Sequence, residues 1–490
     1  MTSAWWGIAR AGVVVVAGVG LTYAATELPG TVSLTPAVEK AALQPAALAP
    51  VTSNSIGCPG PETEGLQGVP PVAGTTTVYA TSPPSEALEG VDVGTSQGSV
   101  SLAAVPAGTA LGQSDKRGTL VIGTLTGASA GLVTARGPLA PGLAALQTTV
   151  STEGDDRAGV AVPCAAAKAD LWLVAGGGGS TRRERVVLTN PGANTVSADV
   201  SVRGGAGLLP STNGRNISVP PRGRASLFVD ALVGPENTPV VHVVATGGVL
   251  TAVLEDSWID GATGRGADDA SPTAAPANEQ VIPAVFLDGP GRLRVAVPGA
   301  DETVVQARAL TENGPVALPG DGVVRVPGGA VRDIDLGSVP KGAYAIQLRA
   351  DHPVVGGVMV ERRPAGAAQS DFGWTTSTDP VAVVAGTPLP AGARATLMLV
   401  ATGEASSASV HTVAESGAVE TKTYSLVADS TTTVDLAGAR QVWVHRTAGT
   451  LRAGLALDLA PSDPQPLFSL VPLNPAVVTS TQVPVRQVPG

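Results

Sequence analysis

Gly94-Thr95-Ser96-Gln97-Gly98 has the Gly-x-Ser-x-Gly spacing of a hydrolase nucleophile elbow. That elbow exposes its serine by bending a strand sharply into a helix. Here Ser99-Val100-Ser101-Leu102-Ala103 follows, which alternates as a strand does, and the nearest downstream histidine is His242. The motif reads as a turn, with a serine hydrolase using Ser96 as the remote alternative. Gly176-Gly177-Gly178-Gly179-Ser180-Thr181 follows an apolar run, as a phosphate-binding loop would. It has no lysine, and Val186-Val187-Leu188 continues as strand rather than helix, so the run reads as a flexible loop. His242, His352, His411 and His445 share no metal or triad spacing. They read as sheet histidines, with His352 in a turn before Pro353.

Glu255, Asp256, Asp260, Asp268 and Asp269 cluster around 256–280. Carboxylate oxygens could hold calcium at a joint between modules, but the regular ligand spacing of a calcium loop is missing. These acids read as solvated linker residues. Trp172, Trp258, Trp374 and Trp443, if exposed together, would make a glycan-binding platform; one per region, they read as plugs of cores or joints. Asn216-Ile217-Ser218 fits a glycosylation sequon, a short match that occurs by chance. The sequence points to no catalytic residue, cofactor or metal.

The elements that must carry these residues are strands. Gly (61) and Pro (41) are frequent, hydrophobic residues make up 43% and aromatics only 3%. Short Val-rich runs between Gly, Pro, Asp and Ser are an all-β composition, with cores of Val, Leu, Ala and Ile. The net charge of −10, with no basic stripe, argues against a nucleic-acid partner.

Three stretches follow one plan: Arg185 to Glu255, Arg292 to Glu361 and Thr396 to Leu457. Each opens with two alternating runs around a turn: Val186–Thr189 and Val196–Val202 around Asn190-Pro191-Gly192; Leu293–Val297 and Val304–Ala309 around Pro298-Gly299; Leu397–Ala401 and Ala408–Val413 around Thr402-Gly403. Such turns suit a hairpin or a corner between sheets. Each closes on an apolar hairpin: Val240–Val244 with Val249–Leu254, Ala345–Leu348 with Val354–Val360, Val442–Val444 with Leu451–Leu457. Strands with turn signals at this spacing indicate sandwiches. The expected fold is therefore all-β, a tandem array of small Ig-like β-sandwich modules after an N-terminal hydrophobic anchor.

The expected organisation is a signal anchor or signal peptide at 1–25, an Ala/Pro-rich stalk at 26–56 with a short helix from Pro36 to Gln44, and a first β-module at 57–175. Sandwich repeats follow at 180–260, 281–362 and 393–460, separated by linkers at 256–280 and 362–392. A Pro-rich tail spans 461–490. After Arg10 come about fifteen uncharged residues, short for a spanning helix of about 20 residues but suited to a signal core. Including Trp5–Ala9 makes an uncleaved anchor feasible. Arg10 before the run places the amino end in the cytoplasm and the bulk of the chain outside, membrane-held or secreted if cleaved. Cys58 and Cys164 would pair in an exported chain, closing a loop of about 106 residues, with two buried free thiols as the alternative.

The single amino-terminal anchor, Cys58 and Cys164, Trp172 before Gly176-Gly177, Leu188-Thr189-Asn190-Pro191-Gly192 and Val219-Pro220-Pro221 resemble an actinobacterial family of exported envelope proteins classed only as a domain of unknown function. The resemblance implies an extracytoplasmic protein without assigned catalytic residues. In the third repeat Thr402-Gly403 replaces Pro-Gly and Val427-Ala428 replaces Pro220-Pro221, which blurs its boundaries. The functional expectation is a non-catalytic envelope scaffold whose partners are the membrane, through the N-terminal segment, and an envelope protein or a glycan. The alternative is a glycan or cell-wall binding protein.

Overall fold

Alternation along single strands shows how this composition makes sheets. In Val196–Gly204, Val196, Ala198, Val200 and Val202 are buried, while Ser197, Asp199, Ser201 and Arg203 lie on the more open face. Successive side chains of a strand point to opposite faces, so such a run covers a core on one side. Other strands, such as Ala144–Ser151, are buried almost throughout, because a second layer covers their outer face. The computed structural model describes residues 47–61, 74–152, 157–178, 181–211, 213–261, 263–363, 369–463, 465 and 467–482. The expected anchor at 1–25 and the helix at 36–44 lie outside them. Among the described residues no helix is long and apolar enough to cross a membrane.

The all-β sandwich architecture is present, and it contains four copies of one plan rather than three. Each module has eight strand positions. The first, sixth, third and fourth form one antiparallel sheet in that order; the fifth, second, seventh and eighth form the other. In module I the strands are, in chain order, Ser53–Cys58, Thr75–Thr81, Ser99–Val105, Thr109–Ser114, Val121–Leu125, Ala130–Arg136, Ala144–Ser151 and Ala158–Pro163. Module II begins at Asp170–Val174 and ends at Thr263–Ala270. Module III runs from Ala277–Leu287 to Asp371–Thr376, and module IV from Val384–Pro388 to Phe468–Leu473.

This plan corrects several boundaries. Asp170–Val174 lies within the expected first module, 57–175, but pairs with Val240–Thr246 of module II. Strands also occupy the expected linkers: Thr263–Ala270 and the start of Ala277–Leu287 within 256–280, and Asp371–Thr376 and Val384–Pro388 within 362–392. The expected stalk holds Ala47–Pro50 and most of Ser53–Cys58, and the expected tail holds Phe468–Leu473 and Thr479–Gln482. The closing pairs are not hairpins: the sixth and seventh strands belong to opposite sheets. In module III they are one continuous strand, Gly342–Arg362, whose exposed bend at 349–353 contains His352 and Pro353. His352 is thus in a sheet-crossing strand, not a turn.

The corner after the second strand of module II shows the local chemistry. Buried Asn190 accepts the Gly192 N–H on Oδ1 at 2.9 Å and donates from Nδ2 to Asn194 O at 2.8 Å and Val219 O at 3.2 Å. An Asx turn of this kind satisfies the backbone where the chain leaves one sheet for the other.

Ala49–Ser480 form one compact unit, and the array closes on itself within it. The first-sixth-third sheet of each module lies against the fifth-second-seventh sheet of the next. Between I and II, Arg224 donates to Pro61 O at 3.1 Å, and Val162 of the eighth strand of module I also packs with Val187 and Val253. Between II and III, Arg294 reaches Ala175 O and Gly176 O. Between III and IV, Arg308 pairs with Asp429 at 2.7 Å and Thr431 Oγ1 donates to Leu310 O at 2.7 Å. Between IV and I, Gln441 Nε2 donates to Gly118 O, and Ala144 packs with Val384 and Trp443. Head-to-tail interfaces of this kind close a ring when the rotation per unit allows it. At the centre each eighth strand touches those of the modules before and after it, the last touching the first.

Candidate functional site

The eighth strands bring together the residues that hold the ring. Asp371 of module III has no exposed surface. Its Oδ2 accepts N–H groups from Gly159 of module I and Phe468 of module IV, both at 2.9 Å. Its Oδ1 accepts the Phe372 N–H at 3.0 Å, and the Ala267 N–H of module II also bonds to this carboxyl. One side chain therefore satisfies backbone donors from all four modules. Asp268 of module II accepts the Trp374 N–H of module III at 2.6 Å and the Ser469 hydroxyl of module IV at 3.0 Å. Ser469 Oγ also accepts the Ala161 N–H of module I at 3.1 Å. Burial pushes both carboxyls well above their ordinary value, against hydrogen bonds that pull them down.

The faces of these strands that turn toward the hub need small residues. Gly266 has φ +108°, and a Cβ there would sit 2.1 Å from Asp371 Oδ1. Only glycine allows both that backbone and that approach.

A second layer of charge surrounds the hub. Asp256 Oδ2 accepts from Trp374 Nε1 at 2.8 Å and pairs with Arg182 at 3.0 Å. The Arg182 guanidinium lies 4.8 Å from the centroid of Trp258 and 5.2 Å from that of Phe372, within cation–π range. Arg185 pairs with Glu255 at 3.2 Å. Glu255, Asp256, Asp268 and Asp269 are all buried. The expectation of solvated linker acids is therefore wrong for these four: they lie on the seventh and eighth strands of module II, Asp256 and Asp268 toward Trp374 of module III and Glu255 and Asp269 on the face whose Val253 and Ala267 pack on module I. Asp260, at the strand end, is exposed and pairs with Arg265. Among the described residues no group of three or more His, Cys, Asp or Glu is placed to hold a metal ion.

Where the chain leaves the eighth strands, a cavity of about 290 Å³ opens among modules I, II and IV and the connectors on either side of module III. Ile56, Leu143, Leu171 and Leu473 make its apolar wall, and the exposed Lys168 and Asp379 contribute one charge of each sign. Cys164 also lines it. Cys164 is bonded to Cys58, as the sequence reading preferred, with Cα atoms 4.5 Å apart. The bridge ties the first strand of module I to the segment after its eighth. Replacing both cysteines by serine is expected to lower stability by about 2–5 kcal/mol, since the loop-closure constraint on the unfolded chain is lost. Urea unfolding of the oxidised protein and the variant measures it.

The other expected residues separate. Gly94–Gly98 is an exposed bend followed by the strand Ser99–Val105, with no helix behind Ser96. Gly177 and Gly178 turn their N–H groups onto Glu184 Oε1, at 2.8 and 2.7 Å, so this loop already holds an anion of its own chain. Burial, more than the neighbouring Asp256 charge, pushes the Glu184 carboxyl up. Trp172, Trp374 and Trp443 are buried and Trp258 is half-buried; the four do not form an exposed platform. Trp172 stacks on His242 with ring centroids 4.0 Å apart.

The hub escaped sequence reasoning because Gly264-Arg265-Gly266-Ala267-Asp268-Asp269 has the composition of a loop. Its one available signal was a pair of adjacent acids inside a glycine-spaced run that a strand precedes.

The model of a family of unknown function (DUF5719) matches residues 124–437, well over half of the chain. The chain belongs to that family. The DUF5719 match runs from the fifth strand of module I to just past the fifth strand of module IV. No curated protein matches the chain. Among solved structures, it is similar to one titled "Crystal structure of tetra-tandem repeat in extending region of large adhesion protein", at 14% identity and a TM-score of 0.10, covering 78% of this chain and 92% of that one. At that TM-score the likeness carries no argument for this DUF5719 protein.

Proposed function

We propose that this DUF5719 protein is a non-catalytic scaffold of an actinobacterial cell envelope, standing on the outer side of a bilayer and presenting a rigid ring to a partner. The single observation that carries this reading is the closure of four sandwiches around a buried hydrogen-bonded hub. Such closure holds the surface loops and the cavity in fixed relation, and loops on a rigid framework are where binding residues concentrate. The Cys58–Cys164 bridge supports an oxidising compartment. The apolar run after Arg10 supports export, with the N-terminal segment as anchor or signal.

The test has two arms. An alkaline phosphatase fused after Gly490, active only when exported, is expected to be active; an inactive phosphatase with a fluorescent cytosolic reporter at the same site would overturn the placement. Cross-linking in intact cells through a photoreactive residue at Lys168, on the cavity, is expected to yield a discrete adduct with an envelope component. Absence of any adduct there and at the surrounding loops would overturn the scaffold reading.

A further inference from the structure

The seam between modules IV and I joins the two ends of the ring, and its chemistry differs from that of the other three. The short 3-10 helix Ser85–Leu88 of module I lies on the third and sixth strands of module IV, Ser406–Ala414 and Ala439–Ala448. Ala87 and Leu88 pack with Val384, Val413 and Trp443. On the same sheet stand His411 and His445, with ring centroids 6.5 Å apart. His411 is 3% exposed. Its Nδ1 meets Thr421 Oγ1 at 2.9 Å, and its buried Nε2 has no hydrogen-bond partner among the described residues, nor has His445 Nδ1.

We propose that this seam is an acid-opened clasp, in which protonation of His411 and His445 releases the 3-10 helix of module I from the sheet of module IV while the other three seams stay closed.

The charges facing the pair are few. From module I come Glu86 and Glu89, which favour the imidazolium forms. From module IV come the second histidine, against His411, and Arg446, against His445. Thr421, on the fourth strand, is neutral. Burial is the largest influence on both rings and lowers both below the ordinary value of 6.5. A histidine of lowered pKa binds its proton better once the seam is open and hydrated. Closure is therefore fully favoured above about pH 6.5 and weakens as the pH falls toward the closed-state values. The seam between modules II and III also holds a histidine of lowered pKa, His242, but Asp170 stands 3.2 Å from its Nε2 as a counter-charge. The seams between I and II and between III and IV rest on Arg224, Arg308 with Asp429, and Thr431.

Hydrogen exchange of the full chain, read by mass spectrometry and corrected for the intrinsic pH dependence of exchange, tests this. Between pH 7.5 and pH 5.0, peptides covering 82–91 and 439–448 are expected to lose at least tenfold in protection. Peptides covering 291–296 and 430–435, at the next seams, are expected to keep theirs. His411→Asn with His445→Gln is expected to abolish the pH response. The single variant His445→Gln, at a half-buried position, is expected to halve it on a logarithmic scale and serves if the double variant does not fold. Unchanged protection in the wild type, equal loss at all seams, or a full response persisting in His445→Gln would each overturn the proposal.

Discussion

Asp371→Ala is expected to destabilise the protein by about 4 kcal/mol or more, the cost of leaving four buried N–H groups without their acceptor. It should also loosen every module at once. The substitution leaves the N–H groups of Gly159, Ala267, Phe372 and Phe468 without their acceptor in a site no water reaches. Each orphaned buried donor costs about 1–3 kcal/mol. Urea unfolding gives the loss, and hydrogen exchange should show it in all four eighth strands. Asp371→Asn keeps the shape but only one accepting oxygen, so its loss should be smaller. The pH dependence separates the two effects. Because burial raises the Asp371 carboxyl well above its ordinary 3.8, its contribution is complete below that value and erodes as the pH rises toward the folded value. The stability gap between wild type and Asp371→Asn should accordingly narrow between pH 4 and pH 7.

Arg294→Ala is expected to cost a similar amount, about 3–5 kcal/mol, but at one seam. Arg294 is fully buried. Its fork holds Asp333 through Nε at 2.8 Å and Nη2 at 3.0 Å. Nη1 donates to the carbonyls of Ala175, Gly176 and Pro239, and Nη2 to that of Asn237. One residue of module III thus satisfies four backbone acceptors of module II. Arg294→Lys keeps the charge but loses the planar fork, and should recover only part of the loss in urea unfolding. Hydrogen exchange should then rise at 170–176 and 237–240 while the eighth strands of modules I and IV remain protected. That local signature distinguishes a seam residue from the hub.

The parts of this architecture that showed in the sequence are those decided within one strand and its turn. Val196–Gly204 alternates, so its strand and its buried face follow from residues next to one another. The corner at Asn190-Pro191-Gly192 is marked by its own turn chemistry. Cys58 and Cys164 pair, and two cysteines have one way to bridge. The fourth copy, module I, stayed hidden because its second and third strands, Thr75–Thr81 and Ser99–Val105, lack a short Pro-Gly corner between them.

The eighth strands were hidden for a deeper reason. Thr263–Ala270 and Asp371–Thr376 have the composition of linkers, because Gly, Asp and Thr ordinarily mark solvent. At a point where four backbones converge, large side chains do not fit, and buried N–H groups from neighbouring modules need acceptors. Glycine and aspartate supply the space and the acceptor, so the most buried polar residues have the composition of the most exposed ones.

By itself, then, the sequence determined strands, turns, a disulfide and an all-β sandwich class, because hydrophobic alternation and turn residues act over a few positions. Only the tertiary structure decided that the modules form a closed ring, that the acids are its hub and that the tryptophans are covered. Those outcomes depend on groups hundreds of residues apart, as Gly159 and Asp371 are, whose pairing leaves no local pattern in the chain.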